Sequence, residues 1–274
     1  MSDPARAGRV VEIDDPDDPR IAVFRKVRER DVGRRCGGFI AEGEVVLRVL
    51  ARSRQCRTRS VLIASKRIQR MTPLLAAFGE DVAIYAAAQS VMDAVVGFPI
   101  HRGLLAFGER PQAPSADELL GAIAGPATII CLFGVSNHDN VGGVFRNAAA
   151  LGACAVLLDG ACCGPLYRKA IRVSVGATLT VPFARVGSDE DVPALLARHG
   201  FSTLALTPAG TTPLSRVQAT SRTAILLGAE GHGLPEALLA GGTSVVIPMA
   251  DGFDSLNVAT TSGIVLHHLA QEHP

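Results

Sequence analysis

Apolar positions set two rhythms along this chain. Up to residue 110, helical spacing over 42–52, 66–79 and 89–96 alternates with short apolar runs, VLIAS (61–65), DVAIY (81–85) and GLLAF (103–107). That alternation predicts a compact α/β domain. Further on it becomes more regular. Strand-like runs stand at TIICLFGV (128–135), CAVLLD (154–159), LTVPFARV (179–186), STLALT (202–207), TAILLG (223–228) and SVVIPM (244–249). Helical patterns fall between and after them, near 141–151, 165–175, 190–199, 234–240 and 256–271. Strands that are apolar throughout predict a parallel sheet covered by helices on both faces. Between the two regions, GERPQAPSADE (108–118) lacks apolar periodicity and reads as a connection. The expected layout is a flexible acidic arm over 1–19, a smaller α/β domain over 20–110, a linker over 111–122 and a parallel-sheet domain over 123–274.

Composition narrows the class. A chain of 274 residues, 48% hydrophobic, can bury a large core without disulfide or metal. No apolar run reaches the length of a membrane-spanning helix, and the polar N-terminus lacks a secretory h-region, so a cytoplasmic location is expected. Cys36, Cys56, Cys131, Cys154, Cys162 and Cys163 show neither C-x-x-C pairing nor zinc spacing. No metal site is expected. The cysteines read as reduced thiols, with the adjacent Cys162 and Cys163 as candidates for redox sensitivity.

The formal net charge of +1 suggests little affinity for polyanions, but its distribution says otherwise. Residues 1–110 hold 19 Lys and Arg against 14 Asp and Glu, whereas 111–274 hold 8 against 12. Within 20–70 the balance is 15 to 4. Almost all of these cations are Arg, whose planar fork suits phosphate. Clustered basic charge is the footprint of a nucleic acid partner. Arg28, Arg34, Arg35, Arg52 and Arg54 are the candidate RNA contacts.

In open parallel sheets, ligands bind beyond the carboxyl ends of the strands, so the segment after each strand carries the chemistry. SNHDNVGGVFRNAAALG comes after 128–135. There Asn140 is a candidate helix cap, and Arg146 is a charge within an apolar, small-residue stretch that needs a partner or a function. GAEGHGLPE closes the 223–228 run, with Gly228, Gly231 and Gly233 permitting close backbone approach and Glu230 as an isolated acid. IPMADGFDSLNVATTSG spans the end of 244–249 and opens the last helix, with Ser255 placed as its N-cap and Asn257 in its first turn.

Together these segments resemble the SpoU branch of the SPOUT methyltransferases, the trefoil-knot ribose 2′-O-methyltransferases of tRNA and rRNA. N-V-G-G-V-F-R-N-A-A-A-L-G (140–152), L-L-G-A-E-G-H-G-L (226–234) and I-P-M…D-S-L-N-V (247–258) match the family's three motifs in order, and Y-R-K-A-I-R-V-S-V-G-A (167–177) is similar to the family as well. F-I-A-E-G-E (39–44) and H-R-G-L-L-A-F (101–107) resemble the substrate-binding domain often fused to this enzyme, related to ribosomal RNA-binding proteins. Two departures stand in the third motif: Ala259 and Thr260 replace a Ser and a small or apolar residue, and Gly252 sits one place late after Met249.

The resemblance implies a deep trefoil knot in the C-terminal domain, an exception to the usual unknotted topology, and a homodimer through that domain. Its implied cofactor is S-adenosylmethionine, held by Leu227, Gly228, Ala229, Gly231, Ile247, Pro248, Met249, Ser255, Leu256 and Asn257. The implied catalytic set is Arg146, Asn140, Glu230, Ser255 and Asn257, acting on a ribose 2′-hydroxyl of structured RNA, with rRNA favoured over tRNA. Two other readings compete. One is a non-catalytic RNA-binding or ribosome-assembly protein of the same fold. The other is a nucleotide-dependent α/β enzyme using G-H-G-L-P-E (231–236), which lacks the third glycine of a dinucleotide fingerprint.

Overall fold

The computed structural model describes residues 10–25, 37–110, 113–229, 231–253 and 255–271. They fall into two compact units: the described part of Met1–Pro111 joined by Leu166–Thr180, and Gln112–Pro165 with Val181–Pro274.

The first unit is a five-stranded mixed sheet flanked by helices. In chain order its elements are β1 (Val10–Ile13), β2 (Gly38–Glu42), α1 (Glu44–Leu50), β3 (Arg57–Ala64), α2 (Ile68–Leu75), β4 (Ala83–Ala87), α3 (Gln89–Val96) and β5 (Leu104–Glu109). The sheet order is β1-β4-β3-β5-β2, with β4 parallel to β1 and β3, and β5 antiparallel to β3 and β2. The alternation along β3 serves both faces. Val61 and Ile63 join one buried cluster with Phe39 and Leu47, and Leu62 and Ala64 join another with Phe24 and Met92.

Two expectations are corrected here. The arm expected over 1–19 is not flexible throughout, because Val10–Ile13 form an edge strand on β4 and bury Ile13. The second domain does not keep all of 123–274. Leu166–Thr180 belongs to the first unit because its apolar side chains complete that core. Within this segment α6 (Arg168–Val173) buries Ile171, and Leu179 lies just beyond it, both in the cluster with Leu47 and Val61. Full burial of two such side chains contributes about 1.5–3 kcal/mol each. Arg168 Nη1 reaches Glu42 Oε2 at 2.6 Å, and Ser53 Oγ and Gln55 Nε2 donate to the carbonyls of Leu179 and Thr180. Val175 has φ 55°, a strained value for a β-branched residue.

The second unit contains α4 (Ala116–Gly121), β6 (Ala127–Phe133), α5 (His138–Leu151), β7 (Ala155–Leu158), β8 (Phe183–Arg185), α7 (Val192–Arg198), β9 (Ser202–Leu206), β10 (Thr212–Pro213), β11 (Arg222–Gly228), α8 (Glu236–Ala240), β12 (Thr243–Val246) and α9 (Val258–Gln271). Helix α4 lies inside the expected linker. Ser115 caps it, and the Ser115 and Glu118 side chains reciprocally accept N–H bonds from each other's backbone, a local signal that outweighs the Pro-rich composition nearby. All strand pairs are parallel, as the apolar runs predict, in the order β10-β12-β9-β11-β6-β7-β8. The central strands are buried: Ile129, Ile130, Ala224 and Ile225 are at 0% exposure. The run predicted as a strand over 179–186 shortens to Phe183–Arg185, since Ala177–Leu179 is a 3₁₀ turn of the first unit. Among the described residues no helix is long and apolar enough to cross a membrane.

Candidate active site

The carboxyl ends of β9, β11 and β12 open onto a cavity of about 400 Å³ in the second unit. Each strand supplies part of its wall. β11 contributes Leu227 and Gly228, with Ala229, Gly231, His232 and Gly233 directly after them. β12 contributes Val245, with Ile247 and Met249 beyond its end, and Thr207 and Pro208 come after β9. Ser255, Leu256, Val258 and Thr261 close the remaining side. Eight residues expected around the cofactor therefore line one cavity. Pro248 and Asn257 stand outside that lining, and Glu230 lies outside the described residues.

Local geometry explains the glycines at 228 and 233. A Cβ placed on Gly228 would lie 2.2 Å from the backbone carbon of Gly233. The loop closes on itself, Gly233 N–H donating to the Ala229 carbonyl at 2.9 Å, with Gly233 at φ 65°. No side chain fits at Gly228, so the backbone after β11 folds tightly and forms a wall of peptide groups. The cavity combines that wall with Leu206, Leu227, Val245, Ile247 and Leu256. Its size is within the range for cofactor sites, and its mixed character suits a nucleoside-containing ligand with apolar and polar parts. The residues present therefore fit S-adenosylmethionine.

Beside the cavity, helices α5 and α9 are joined along one stripe. Asn257 Nδ2 donates to Asn140 Oδ1 at 2.8 Å, and Asn257 Oδ1 accepts from Ala259 N–H and Thr260 N–H. Asn257, not Ser255, is thus the cap of α9, because its oxygen faces the first free amides. Likewise the cap of α5 is Asn137, which accepts from Asp139 N–H at 2.8 Å. Asn140 is released from capping and is 6% exposed, committed to Asn257. A turn or so further on, Gly143 faces Ala259 so closely that a Cβ would come within 2.6 Å of the Ala259 methyl. Next, Asn147 Nδ2 donates to the Ala259 carbonyl at 2.6 Å and to Ser262 Oγ at 2.9 Å. The departure at Ala259 therefore lies in a helix contact that needs a small residue.

Arg146 is on another face of α5. Six residues beyond Asn140, it is about 9 Å along the axis and about 120° around it. It is exposed rather than embedded in the apolar stretch, and no ion pair engages it among the described residues. Asn140 and Asn257 are brought together and Ser255 is brought to the cavity, while Arg146 is presented to solvent. Of the candidate RNA contacts, Arg52 and Arg54 are described, in the first unit, and Arg28, Arg34 and Arg35 lie outside the described residues.

The loop entering α5 is clamped from β7. Asp159 Oδ2 accepts from Gly134 N–H, its Oδ1 accepts from Ala161 and Cys162 N–H, and Cys162 Sγ sits between Val135 N–H and the Leu132 carbonyl. Burial and then Asp159 push the Cys162 thiol up to about 12, and burial pushes Cys163 up to about 11. A reactive thiol is shifted the other way. The upward shifts agree with the reading of these two cysteines as reduced thiols and weigh against redox sensitivity. No group of three or more potential metal ligands occurs among the described residues.

Sequence pattern alone missed Asn147, although it lies seven residues after Asn140 on the same helical face. It also missed Thr207 and Pro208, which the strand-end rule applied to 202–207 would have found.

Known proteins share both the sequence and the fold. The SpoU rRNA Methylase family profile matches residues 127–267. An uncharacterized tRNA/rRNA methyltransferase of Mycobacterium tuberculosis is 38% identical, the match covering 94% of this chain and 91% of that protein. The AdoMet-bound rRNA methyltransferase of Sinorhizobium meliloti superposes with a TM-score of 0.80 at 22% identity, covering 97% of this chain and 99% of that one. A structure described as an RNA 2′-O ribose methyltransferase superposes with a TM-score of 0.74 at 24% identity, covering 96% and 99%.

Proposed function

Because this chain belongs to the SpoU rRNA methylase family, we propose that it methylates a ribose 2′-hydroxyl in structured RNA, ribosomal RNA before transfer RNA. It is an RNA methyltransferase dependent on S-adenosylmethionine. The observation that supports the finer reading is that the second and third family motifs line one strand-end cavity, while the Asn140–Asn257 bond beside it ties the first motif to the third.

When bound, the cofactor supplies an electrophilic methyl group on a sulfonium. Leu227 to Ala229, Ile247, Met249, Ser255 and Leu256 would hold it. Asn140 and Asn257 fix the start of α9, and so the approach of Ser255 and Leu256 to the cavity. Glu230, between Gly228 and Gly231 in the sequence, would orient the ribose or Arg146. Arg146 binds a phosphate of the substrate. A guanidinium stays protonated at neutral pH and has no acceptor, so it is not the base. The phosphate it holds would accept the 2′-hydroxyl proton as that oxygen is methylated.

Two further properties complete the reading. After β12 the chain returns to place α9 against α5, which supports a trefoil knot in this unit. Exposed Ile264 on α9, at 39%, supports a homodimer through this unit. The first unit, with Arg28, Arg34, Arg35, Arg52 and Arg54, holds the RNA.

Incubation with methyl-labelled cofactor and separated tRNA, small-subunit rRNA and large-subunit rRNA tests the reaction. Label on a ribose oxygen of rRNA is expected, and label on a base would defeat the proposal. Arg146→Ala should lower turnover by about 10²–10³-fold, the cost of losing one transition-state contact, while cofactor binding persists. Near-normal turnover in that variant would remove Arg146 from the mechanism.

A further inference from the structure

The cations of the first unit divide into two classes once their partners are counted. Arg48, Arg57, Arg59 and Arg168 each hold a carboxylate at 2.6–2.7 Å, on Glu44, Asp81, Glu109 and Glu42. Arg70 reaches Glu44 at 3.8 Å. Among the described residues, no ion pair engages Lys66, Arg67 or Arg102.

The sheet brings these three together. β2, β5 and β3 are neighbours, and β5 runs antiparallel to both others, so the ends of β2 and β3 meet the start of β5. Two backbone bonds mark the junction: Gly43 N–H to the Leu104 carbonyl and Ala64 N–H to the Gly103 carbonyl, both 2.9 Å. Lys66 and Arg67 leave β3 here, and His101 and Arg102 enter β5. Arg67 Nη2 lies 3.4 Å from the His101 carbonyl. A Cβ on Gly43 would be 2.9 Å from Arg102 Cδ, and one on Gly103 would be 3.4 Å from Arg67 Nε. Glycine at these two turns, with φ 92° and 51°, lets both arginine stems lie against the backbone.

The nearby acids make their close contacts elsewhere. Glu42 holds Arg168, and Glu44 holds Arg48 and Arg70. Asp93 accepts from Ile100 N–H and Gln89, and Glu12 accepts from Ser65 Oγ. Lys66, His101 and Arg102 are exposed. The result is a set of two guanidinium forks and an ammonium at the strand ends, with no carboxylate in ion-pair contact among the described residues and Glu44 and Asp93 acting on it only at longer range, a geometry suited to phosphate oxygens.

We propose that Lys66, Arg67 and Arg102 form a phosphate contact for the RNA backbone, separate from Arg52 and Arg54. Those two arginines precede β3 and the new set lies after it. The strand's eight residues, at about 3.3 Å each, put the two contacts about 26 Å apart. RNA is gripped at both ends of one strand whose own arginines, Arg57 and Arg59, are neutralised. Phosphate contacts fix position and register rather than sequence, so this contact orients the substrate.

The inference rests on the RNA methyltransferase reading, and its test separates the two. The full chain and the triple variant Lys66→Gln, Arg67→Gln, Arg102→Gln are titrated with large-subunit rRNA across a range of salt, with cofactor binding measured in parallel. Each lost phosphate contact lowers the log–log salt slope by about 0.7–0.9. The triple variant should lose about 2–3 units of slope and bind at least about tenfold more weakly at low salt, with cofactor binding unchanged. The double variant Lys66→Gln, Arg102→Gln spares the half-buried Arg67 and should lose about 1.4–1.8. Unchanged slopes in both variants beside an RNA-binding parent overturn this contact alone. An unaltered chain that binds no RNA overturns the parent reading together with it.

Discussion

At the scale of single residues, the site depends on amides and glycines as much as on charges. Asn257 caps α9 with its oxygen and holds Asn140 with its nitrogen. Its replacement removes a cap and leaves a buried amide short of a partner. Asn257→Ala should therefore destabilise the chain by about 2–3 kcal/mol, combining the cost of a lost cap with that of an unsatisfied buried group. Urea unfolding measures this, and a loss below about 0.5 kcal/mol would show the bond to be idle. Asn140→Ala should weaken cofactor binding indirectly, through the loop that carries Ser255 and Leu256. The motif pattern made Asn140 and Asn257 legible in the sequence, but not their bond to each other. Capping residues and bonded residues share the same chemistry, and only tertiary contact separates Asn137 from Asn140.

Among elements, the pairing of α5 with α9 is the feature on which the site turns. Gly143, Ala259 and Ser262 let the two helices approach closely, and Asn147 secures them. Gly143→Val would drive branched methyls into a space where even a Cβ comes within 2.6 Å of Ala259. The expected cost is about 1–3 kcal/mol of overpacking, with cofactor affinity falling because α9 carries Val258 and Thr261 into the cavity. Calorimetric binding of S-adenosylmethionine checks this, and unchanged affinity would uncouple the helix contact from the site. Periodicity located the long apolar strands of both sheets, since burial on both faces leaves continuous runs. It missed β1, β2 and β10, where strands are short or lie at an edge and pairing with neighbours does what sequence pattern does not. It also read α4 as linker, although Ser115 and Glu118 carry a capping signal in the sequence itself.

For the molecule as a whole, the buried thiols set how stability responds to alkaline pH. Burial pushes Cys131 up to about 12, as burial and Asp159 do Cys162. A thiol whose folded value exceeds its unfolded value of about 8.5 contributes its full stability below that pH. The contribution is lost as pH rises from there towards the folded value, because only the unfolded chain releases the proton. Each thiol adds a slope approaching 1.4 kcal/mol per pH unit in that window. Cys131→Ala should flatten the decline of unfolding free energy between about pH 9 and about 11 by one such increment. Parallel curves for the two proteins would assign the alkaline loss elsewhere. The near-neutral total charge is likewise a property of the whole chain that misleads until it is divided. The count along the sequence located the basic region, but only the geometry separated neutralised arginines from those left facing solvent.

The segment Leu166–Thr180 lies between β7 and β8 in sequence, yet its side chains complete the core of the first unit. This fixes an order of events during synthesis. When residue 111 emerges from the ribosome, the first core still lacks Ile171 and Leu179, which are made only after β6 and β7. The first core is therefore completed only once part of the second unit has been synthesised, so the two units cannot be finished strictly one after the other.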